Sequence, residues 1–590
     1  MCGIVGYIGQ EDVKEILLTG LKRLEYRGYD SAGVAMVNQT GVHIFKEKGQ
    51  AVNLRHSDFC NITATFGIGH TRWATQGCAD LVNAHPHQSA SGRFTLVHNG
   101  VIDNESFLKS TYLSDYDFAS DTDSEVIVGL LDEFVKIDGQ IQTAIQKLLI
   151  VLKGSYAFGV IDNQKPDILY AVKNKAPLLI GIGENFHMIG SDIMSMRHCT
   201  NRFLNMDDKE FVEITRDETT VFNKAGQILK KKPFFTNIDA TTFEKGDYEH
   251  HILKEIDDQP KVIRRLAADY LISGWTDKKK KALDMLRNAS RIYLVAGGTS
   301  VQACQVGKQF IEQLAGIPVE VLLASELAYH VPLLPEKAAF VIVSTSGESA
   351  DGRGALLRVK KLGYPTIVMT NAIKSTLERL ADDVLYLNAG LEVAVTATKT
   401  YVAQLASFAL IAGALAKEMA FDLERELIHV ASSIEELLMN KEYFKKLSQD
   451  YLMTDTAFCL GKHRDQYTAI EGALKLKELA YVKAEGFAAG ELKYGTLALI
   501  EEGIPVIGVI SEESMQLNMR GSLQVAQARG AKILTIVTAS CSKEADQIVV
   551  PDVHPLLTAL VMIVPMQLLA YYAGIAREID VDQPRHLAKL

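Results

Sequence analysis

The feature that most constrains the fold is a repeated alternation of apolar runs with helical runs, which begins near residue 285. The apolar runs of the first round are RIYLVAGG, PVEVLLAS, AAFVIVSTSG, PTIVMTN and DVLYLNAG. Strands that alternate with helices form parallel sheets covered on both faces. A second round, with TAFCLGKH, IPVIGVIS, AKILTIVT and QIVVPD, starts near residue 451. We therefore predict two successive α/β domains with parallel sheets, over residues 285–440 and 451–590.

Residues 2–235 have a different pattern. Short β-rich runs such as IVGYIG, FTLVHNGVI and SYAFGVID interleave with helical runs such as DSEVIVGLLDEFV, which predicts an α+β domain. The segment 236–284 begins polar and charged, so we interpret it as a linker with connecting helices. A chain of 590 residues has room for this division, since one core rarely serves more than about 300 residues.

Charge and cysteine content exclude several classes of function. The 62 basic and 72 acidic residues give a net charge of -10, whereas nucleic-acid binding needs a basic surface. The seven cysteines are odd in number and form no CxxC pair, so we expect neither disulfides nor a metal site. The N-terminus lacks the layout of a signal peptide, and we expect a cytoplasmic protein.

One uncharged segment, LLTALVMIVPMQLLAYYAGIA, is long enough to cross a bilayer. It contains Thr558, Pro565 and Gln567 and lacks a basic flank on its upstream side. We interpret it as a buried helix of a large domain and expect no membrane partner.

The chain opens MCGIVGY, with a thiol where an ordinary structural cysteine gains little. Once Met1 is removed, the α-amine of Cys2, with a reference pKa of about 8, can accept the thiol proton. MCG can therefore encode a nucleophile and its base together. The alternative is a small buried residue at the start of a strand.

Other polar stretches offer complementary groups. Arg72 in GHTRWATQG can clamp a carboxylate. In HNG, the Asn99 amide and the Gly100 N–H can stabilise an oxyanion, and the acidic run SDTDSE can bind an ammonium group. Singly, these stretches are also explained by a surface ion pair, a hairpin turn and a helix N-cap. Together with the thiol, they predict a site that hydrolyses the side-chain amide of an amino acid.

These stretches also resemble a known family. MCGIVGYIG, LEYRGYDSAG, GHTRWAT, VNAHPH, LVHNGVIDN and SDTDSEV closely resemble the N-terminal-nucleophile (Ntn) glutaminase of the glutamine–fructose-6-phosphate aminotransferases, also called glucosamine-6-phosphate synthases. The resemblance implies a catalytic nucleophile at Cys2 and an oxyanion hole at Asn99 and Gly100. It implies that glutamine is bound by Arg72, Trp73, Thr75, His85 and Asp123, with Trp73 also matching the gate of an ammonia channel. The family usually has His where this chain has Gln76.

In the α/β half, two polar loops each follow a strand and open a helical run: AGGTS at 296–300 and STSGES at 344–349. Hydroxyls and free N–H groups in such loops bind phosphate. Lys475 and Glu478 lie one helical turn apart. Such a pair is most often a solvated salt bridge, but facing a sugar, Glu478 can move a proton between carbon atoms. Lys589 lies in the C-terminal tail, where a lysine is normally just solvated. If the tail folds over a pocket, Lys589 can form a Schiff base with a ketose carbonyl.

The family resemblance extends to these stretches, from Cys2 to Lys589, and implies two sugar-isomerase (SIS) domains. It implies catalytic roles for Lys475, Glu478, Tyr494 and Lys589. It implies that a phosphosugar is bound by Thr299, Ser300, Ser344, Thr345, Ser346, Ser349 and Val395. It further implies that the substrates are L-glutamine and a sugar phosphate, with fructose 6-phosphate favoured. It also implies a homodimer through the SIS domains and no cofactor.

The sugar half departs from the family pattern. The family motifs SQSGET, VASTK and ELKHG are here STSGES, VTATK and ELKYG, which places Thr345, Ala397 and Tyr494 where the family has Gln, Ser and His. Gly297 stands where the family has the cysteine of CGTS. Two alternatives therefore stay open beside an isomerizing aminotransferase. One is a paralogue that uses another sugar phosphate or omits isomerisation, and the other is a phosphosugar sensor without turnover.

Overall fold

The computed structural model describes residues 2–236, 243–272, 277 and 279–589. The chain forms two compact units. The first comprises residues up to Phe243 together with the last residues from Ala588, and the second comprises Glu244–Leu587.

The described part of the first unit combines two antiparallel sheets with helices, as the α+β prediction requires. Its strands are β1 (Gly3–Ile8), β2 (Ser31–Asn38), β3 (Gly41–Lys48), β4 (Phe66–Arg72), β5 (His87–Gln88), β6 (Phe94–Ile102), β7 (Gly154–Asp162), β8 (Leu169–Asn174), β9 (Leu179–Ile182), β10 (His187–Gly190), β11 (Arg202–Asn205), β12 (Glu210–Ile214), β13 (Thr219–Phe222), β14 (Ile228–Leu229) and β15 (Phe234–Phe235). Its helices are α1 (Val13–Lys22), α2 (Glu105–Tyr112), α3 (Asp123–Asp138) and α4 (Ile141–Val151).

The N-terminal strand is held in the middle of the larger sheet, whose order is β15-β11-β9-β10-β1-β4-β2-β3. β1 pairs antiparallel with β10 on one side and with β4 on the other, where Gly3 lies opposite Thr71. A Cβ atom on Gly3 would lie 2.7 Å from Leu24 Cβ and from Thr71 Oγ1, so the close approach requires glycine. A chain terminus, normally poorly ordered, is thereby fixed at Cys2.

The second sheet has the order β14-β13-β12-β8-β7-β6-β5. β6 pairs antiparallel with β7 along its whole length, so HNG lies within a strand and the hairpin-turn alternative is wrong. Apolar side chains of α3 and α4, including Ile127 and Leu148, pack against Leu96 and Phe158 of this sheet. This packing brings the start of α3 next to β6.

The second unit contains two five-stranded parallel sheets, which confirms the prediction of two α/β domains. The first has the order β17-β16-β18-β19-β20, formed by β16 (Arg291–Ala296), β17 (Val319–Leu323), β18 (Ala338–Val343), β19 (Thr366–Thr370) and β20 (Asp383–Tyr386). The second has the order β22-β21-β23-β24-β25, formed by β21 (Thr456–Gly461), β22 (Lys483–Ala488), β23 (Pro505–Ile510), β24 (Lys532–Thr538) and β25 (Ile548–Val550).

Helices precede, cover and connect these sheets. They are α5 (His251–Asp257), α6 (Gln259–Ile272), α7 (Lys280–Arg287), α8 (Thr299–Ala315), α9 (Ala324–Leu327), α10 (Ala350–Lys361), α11 (Thr376–Leu380), α12 (Lys399–Leu415), α13 (Leu423–Leu438), α14 (Lys441–Tyr451), α15 (Asp465–Ala480), α16 (Glu513–Gln527) and α17 (Thr558–Ala576). One large core joins residues of both sheets, so the two SIS-like halves pack as one body.

The uncharged C-terminal segment forms α17. Among the described residues, Pro555–Ala576 is the one helical stretch long and apolar enough to cross a membrane. In the structure, 89% of its most apolar window is buried inside the protein. This confirms the prediction of a buried core helix.

α15, which carries Lys475 and Glu478, begins at the buried Asp465. Asp465 accepts hydrogen bonds from the Ser511 hydroxyl at 2.6 Å and the Ser511 N–H at 2.7 Å. Burial outweighs these bonds and raises the pKa of Asp465 from its reference value of 3.8 to about 7. A carboxyl group with a higher pKa in the folded chain favours folding at low pH, and this contribution is lost as the pH rises from 3.8 to about 7.

We therefore expect Asp465→Asn to match the wild type in stability near pH 4 and to exceed it at pH 8. The gain should approach about 4 kcal/mol, because each pKa unit corresponds to about 1.4 kcal/mol. Thermal unfolding across this pH range checks the expectation, with Asp455→Asn as a control, since the side chain of Asp455 is 91% exposed. Stability differences from the wild type that do not change with pH would contradict it.

Candidate active site

The Cys2 thiol lies between two backbone groups of Trp73. The Trp73 N–H donates to Cys2 Sγ at 3.2 Å, and the thiol donates to the Trp73 carbonyl at 3.4 Å. Burial raises the pKa of the Cys2 thiol, while the nearby guanidinium groups of Arg72 and Arg27 oppose the increase. The resting thiol is therefore protonated at neutral pH, and a base must take its proton when it attacks.

The Asn99 amide is held in a fixed orientation next to the nucleophile. Its Nδ2 donates to the Cys2 carbonyl at 3.1 Å and to Ser191 Oγ at 2.8 Å, and its Oδ1 lies 3.1 Å from His70 Nε2. Since the amide oxygen only accepts, His70 Nε2 is the donor. Ser191 Oγ also accepts from the Ile4 N–H at 2.8 Å, which ties the amide to β1.

Gly100 follows Asn99 with a backbone conformation that favours glycine. Its φ is 121°, and a Cβ atom would lie only 1.8 Å from the Ser155 carbonyl oxygen. Any other residue would displace β6 from β7 beside Asn99. The structure thus places both predicted oxyanion donors on a strand that cannot shift freely.

The Arg72 side chain is buried, which excludes the surface ion pair. Its guanidinium donates to the Cys78 carbonyl at 2.8 Å, the Gly77 carbonyl at 3.3 Å and the Gln76 carbonyl. In this structure, therefore, the predicted carboxylate clamp holds the loop that follows β4. Its role toward glutamine stays a prediction.

The other predicted glutamine-binding residues have mixed environments. Thr75 is exposed, and Trp73 is half-buried with its ring centroid 6.1 Å from that of Tyr29. Asp123, buried at the start of α3, accepts from the Ile102 N–H at 2.7 Å. Glu125 instead accepts hydrogen bonds from the N–H groups of Ala119 and Ser120, just before α3. Part of the acidic run therefore stabilises the N-terminus of this helix, as the N-cap alternative proposed.

His85 belongs to a buried group of histidines. Its ring stacks on His70 at 4.1 Å between centroids, and its Nδ1 accepts from the His98 N–H at 3.1 Å. Burial lowers the pKa of His70 to about 3 and that of His85 well below its usual value. These rings are neutral at physiological pH, so they shape and orient the site rather than carry charge.

In the second unit, Lys475 connects the two α/β halves. Its Nζ donates to Thr299 Oγ1 at 2.9 Å, the Ala397 carbonyl at 3.1 Å and Glu478 Oε2 at 2.7 Å. It also lies 3.1 Å from Glu471 Oε1. Lys475 is fully buried, so the solvated salt bridge is the wrong explanation for the pair.

Lys475, Glu471 and Glu478 form a cluster, called the Lys475 cluster below, in which the charge of the lysine opposes those of the two carboxyl groups. Burial alone lowers the pKa of Lys475, but Glu471 and Glu478 outweigh it and raise the pKa above its usual value. Burial raises the pKa of Glu471, against the opposing charge of Lys475. The ammonium group of Lys475 therefore stays charged at neutral pH, next to Glu478, whose side chain is 21% exposed.

The loop after β18 is organised by its own hydroxyl groups. Ser344 Oγ accepts from the Gly347 N–H at 3.2 Å and from Ser349 Oγ at 3.1 Å. The Glu348 N–H donates to Ser346 Oγ at 3.2 Å. Gly347 has a φ of 63°, and a Cβ atom there would lie 2.2 Å from Ser375 Oγ, so the tight turn requires glycine.

The remaining predicted sugar-site residues are distributed differently. Val395 donates its N–H to the Asp582 carbonyl at 3.1 Å. Tyr494 is 75% exposed, and among the described residues no hydrogen bond joins it to the Lys475 cluster. Lys589 belongs to the first unit, where its N–H donates to the Tyr26 carbonyl at 3.0 Å. The roles of Tyr494 and Lys589 stay predictions.

Four buried residues of these sites were not singled out from the sequence: His70, Ser191, Gln404 and Glu471. His70 lies inside GHTRWAT, and Glu471 precedes Lys475 by one helical turn, so both had a local signal. Ser191 and Gln404 stand in ordinary apolar surroundings, and only the folded chain brings them to the sites.

Known protein families match both halves of this arrangement. The SIS domain model matches residues 285–414 and 453–577, and the glutamine amidotransferase domain model matches residues 70–198. A glutamine–fructose-6-phosphate aminotransferase (isomerizing) of Geobacillus kaustophilus is 52% identical over 100% of this chain and 99% of its own length. The chain belongs to the glutamine–fructose-6-phosphate aminotransferase (isomerizing) family. The aminotransferase of that name from Oceanobacillus iheyensis is 48% identical, with 100% and 99% coverage.

A solved structure supports the second unit of this aminotransferase family member. The C-terminal domain of glucosamine-fructose-6-phosphate aminotransferase from Francisella tularensis aligns with a TM-score of 0.55 and 31% identity, and covers 58% of this chain and 99% of that chain. The predicted fold class is thereby confirmed: an Ntn-type α+β glutaminase domain is followed by two α/β SIS domains with parallel sheets.

Proposed function

We propose that this chain is a glutamine-dependent amidotransferase that makes D-glucosamine 6-phosphate and L-glutamate from D-fructose 6-phosphate and L-glutamine. The observation that carries the proposal is that this family member has two groups of polar side chains, each held in place by hydrogen bonds. The first has Cys2 beside the oriented Asn99 amide, and the second has Lys475 and Glu478 beside Thr299.

In the first half of the reaction, Cys2 Sγ attacks the side-chain amide carbon of glutamine. The α-amine freed by removal of Met1 takes the thiol proton and passes it to the leaving nitrogen, which departs as ammonia. Asn99 Nδ2 and the Gly100 N–H stabilise the oxyanion. Water then hydrolyses the glutamyl thioester to glutamate. Arg72 and Asp123 bind the α-carboxylate and the α-ammonium group of glutamine.

In the second half, Lys589 opens the reaction as a Schiff base with the C2 carbonyl of the ketose phosphate. Ammonia displaces the lysine, which leaves a C2 imine. Glu478 removes a proton from C1 while the imine nitrogen gains one, and C2 is then protonated as the C1 hydroxyl loses its proton. The product carries an amine at C2 and an aldehyde at C1. Lys475 holds Glu478 in place through a hydrogen bond of 2.7 Å, and Tyr494 donates a hydrogen bond during ring opening.

The organisation of the protein is part of the proposal. We assign the glutaminase domain to residues 2–235, the linker to 236–284 and the SIS domains to 285–440 and 451–590. We also propose a cytoplasmic homodimer through the SIS domains. Several large apolar side chains of the second unit, among them Tyr329, Leu333 and Leu499, are exposed, and contact with a second copy would bury such side chains.

A second candidate is a paralogue that aminates another sugar phosphate. Thr345 and Ala397 in place of Gln and Ser favour this alternative because they remove hydrogen-bonding capacity, and Tyr494 in place of His favours it because a phenol is a poor base at neutral pH. Product formation from glutamine and a panel of hexose and pentose phosphates separates the candidates. Fructose 6-phosphate should be clearly the best acceptor, and a better acceptor in the panel would establish the paralogue instead.

A further inference from the structure

The buried side chain of Gln404 connects the two predicted phosphosugar segments, 296–300 and 344–349. It lies on α12, is 1% exposed, and its Nε2 donates to Ser300 Oγ at 2.9 Å and to Thr345 Oγ1 at 3.2 Å. Ser300 lies in the first turn of α8, directly after the loop that follows β16, and Thr345 lies in the loop after β18. One buried amide thus connects hydroxyl groups that the sequence places 45 residues apart.

The bridge sets the direction of each hydroxyl proton. A hydroxyl oxygen that accepts a hydrogen bond keeps its own O–H as a donor. Because Gln404 Nε2 donates to both oxygens, the protons of Ser300 and Thr345 point away from the amide. Ser344 is set in the same way, since its oxygen accepts from the Gly347 N–H and from Ser349.

Donor direction matters here because the loops contain no cation. The segments 296–300 and 344–349 have no Lys, Arg or His, and a phosphate presents mainly acceptor oxygens. The one acidic side chain, Glu348, is turned toward α11, where its Oε1 accepts from the Thr376 N–H at 2.8 Å. These segments can therefore offer an anion only N–H and O–H donors, beside the ammonium group of Lys475, which donates to Thr299 Oγ1 at 2.9 Å.

We propose that Gln404 is a positioning residue that orients the hydroxyl protons of Ser300 and Thr345 as donors to the phosphosugar. The inference rests on the proposed function, because it assumes that these loops bind a sugar phosphate. Thr345 is fixed independently through its backbone, since its carbonyl accepts from the Asn371 N–H at 3.0 Å. Gln404 therefore controls the hydroxyl and not the course of the loop.

Two variants test the proposal. Gln404→Met removes both donors at similar volume and should weaken fructose 6-phosphate binding by about tenfold, the loss expected for one to two hydrogen bonds. Gln404→Glu keeps the shape, but its carboxylate can only accept hydrogen bonds. At low pH a protonated carboxyl group still donates one, so its affinity relative to the wild type should fall progressively as the pH rises.

The measurement is calorimetric titration of the full-length protein with fructose 6-phosphate, without glutamine, from pH 6 to pH 8.5. Dividing each affinity by that of the wild type at the same pH removes the titration of the phosphate itself. Ser407→Ala, on the same buried helix, is the control and should bind like the wild type. Should Gln404→Met fail to fold, the nearly isosteric Gln404→Glu still provides the pH profile.

A Gln404→Glu affinity ratio that does not change with pH would overturn the inference. If the wild type binds fructose 6-phosphate but makes no amino sugar, the proposed function fails while the affinity ratios still test Gln404. If the wild type makes the product and the ratio stays flat, Gln404 alone is misassigned. A wild type that does not bind the sugar phosphate would overturn both.

Discussion

Replacing Cys2 by serine is expected to abolish the formation of amino sugar from glutamine. A hydroxyl group in place of the thiol leaves the contacts with Trp73 possible but has a far higher pKa, and losses of about 10⁶-fold follow removal of a covalent nucleophile. Glutamine hydrolysis should disappear in parallel. Formation of amino sugar from added ammonia should persist, because Cys2 takes no part in the proposed steps on the sugar phosphate.

The matched control for this variant is Cys60→Ser, which changes an exposed cysteine of the same unit. It should keep full activity with glutamine. Intact mass adds an independent check, since the α-amine of Cys2 can act as base only after Met1 is removed. Undiminished glutamine-dependent activity in Cys2→Ser, or full activity in a protein that retains Met1, would contradict the proposed nucleophile.

Replacing Lys475 by methionine is expected to affect both activity and stability. The change breaks the contacts to Thr299, the Ala397 carbonyl and Glu478, and leaves the fully buried Glu471 without its counter-charge. Breaking a buried ion pair costs about 3–5 kcal/mol. Glu478, the proposed acid–base group, loses the contact that orients it, and loss of such a group lowers the rate of amino-sugar formation by about 10²–10⁴-fold. Glutamine hydrolysis, which uses the first unit, should be retained.

Lys477→Met is the control, because Lys477 is exposed on the same helix. Denaturant unfolding of the second unit and separate assays of ammonia-dependent synthesis and glutamine hydrolysis distinguish the effects. If the two lysine variants were equally stable and equally active, Lys475 would have no role in the sugar site.

The sequence predicts the fold well where local patterns decide it. Apolar runs alternating with helices specified the two parallel sheets, because a strand buried on both faces must be apolar throughout. The buried helix α17 was distinguished from a membrane span by its internal Pro565 and Gln567. The N-terminal motif indicated the glutaminase site because thiol, amide and arginine types each match one chemical requirement.

The contacts across long sequence distances could not be predicted in this way. Ser191 reaches Asn99 across 92 residues, and Gln404 reaches Ser300 across 104. Neither residue stands in a polar motif, and their function follows only from the sheet order and from the packing of α12 against α8. The hydrogen bonds from Arg72 to backbone carbonyl groups likewise depend on the conformation of the loop after β4.

The central claim is that nitrogen from glutamine ends at C2 of a sugar phosphate. NMR analysis of the product formed from fructose 6-phosphate and glutamine labelled with ¹⁵N in its side-chain amide tests this most directly. The account predicts ¹⁵N bonded to C2 of glucosamine 6-phosphate. Recovery of unchanged fructose 6-phosphate with all ¹⁵N released as free ammonia, or ¹⁵N in a sugar of a different skeleton, would contradict it.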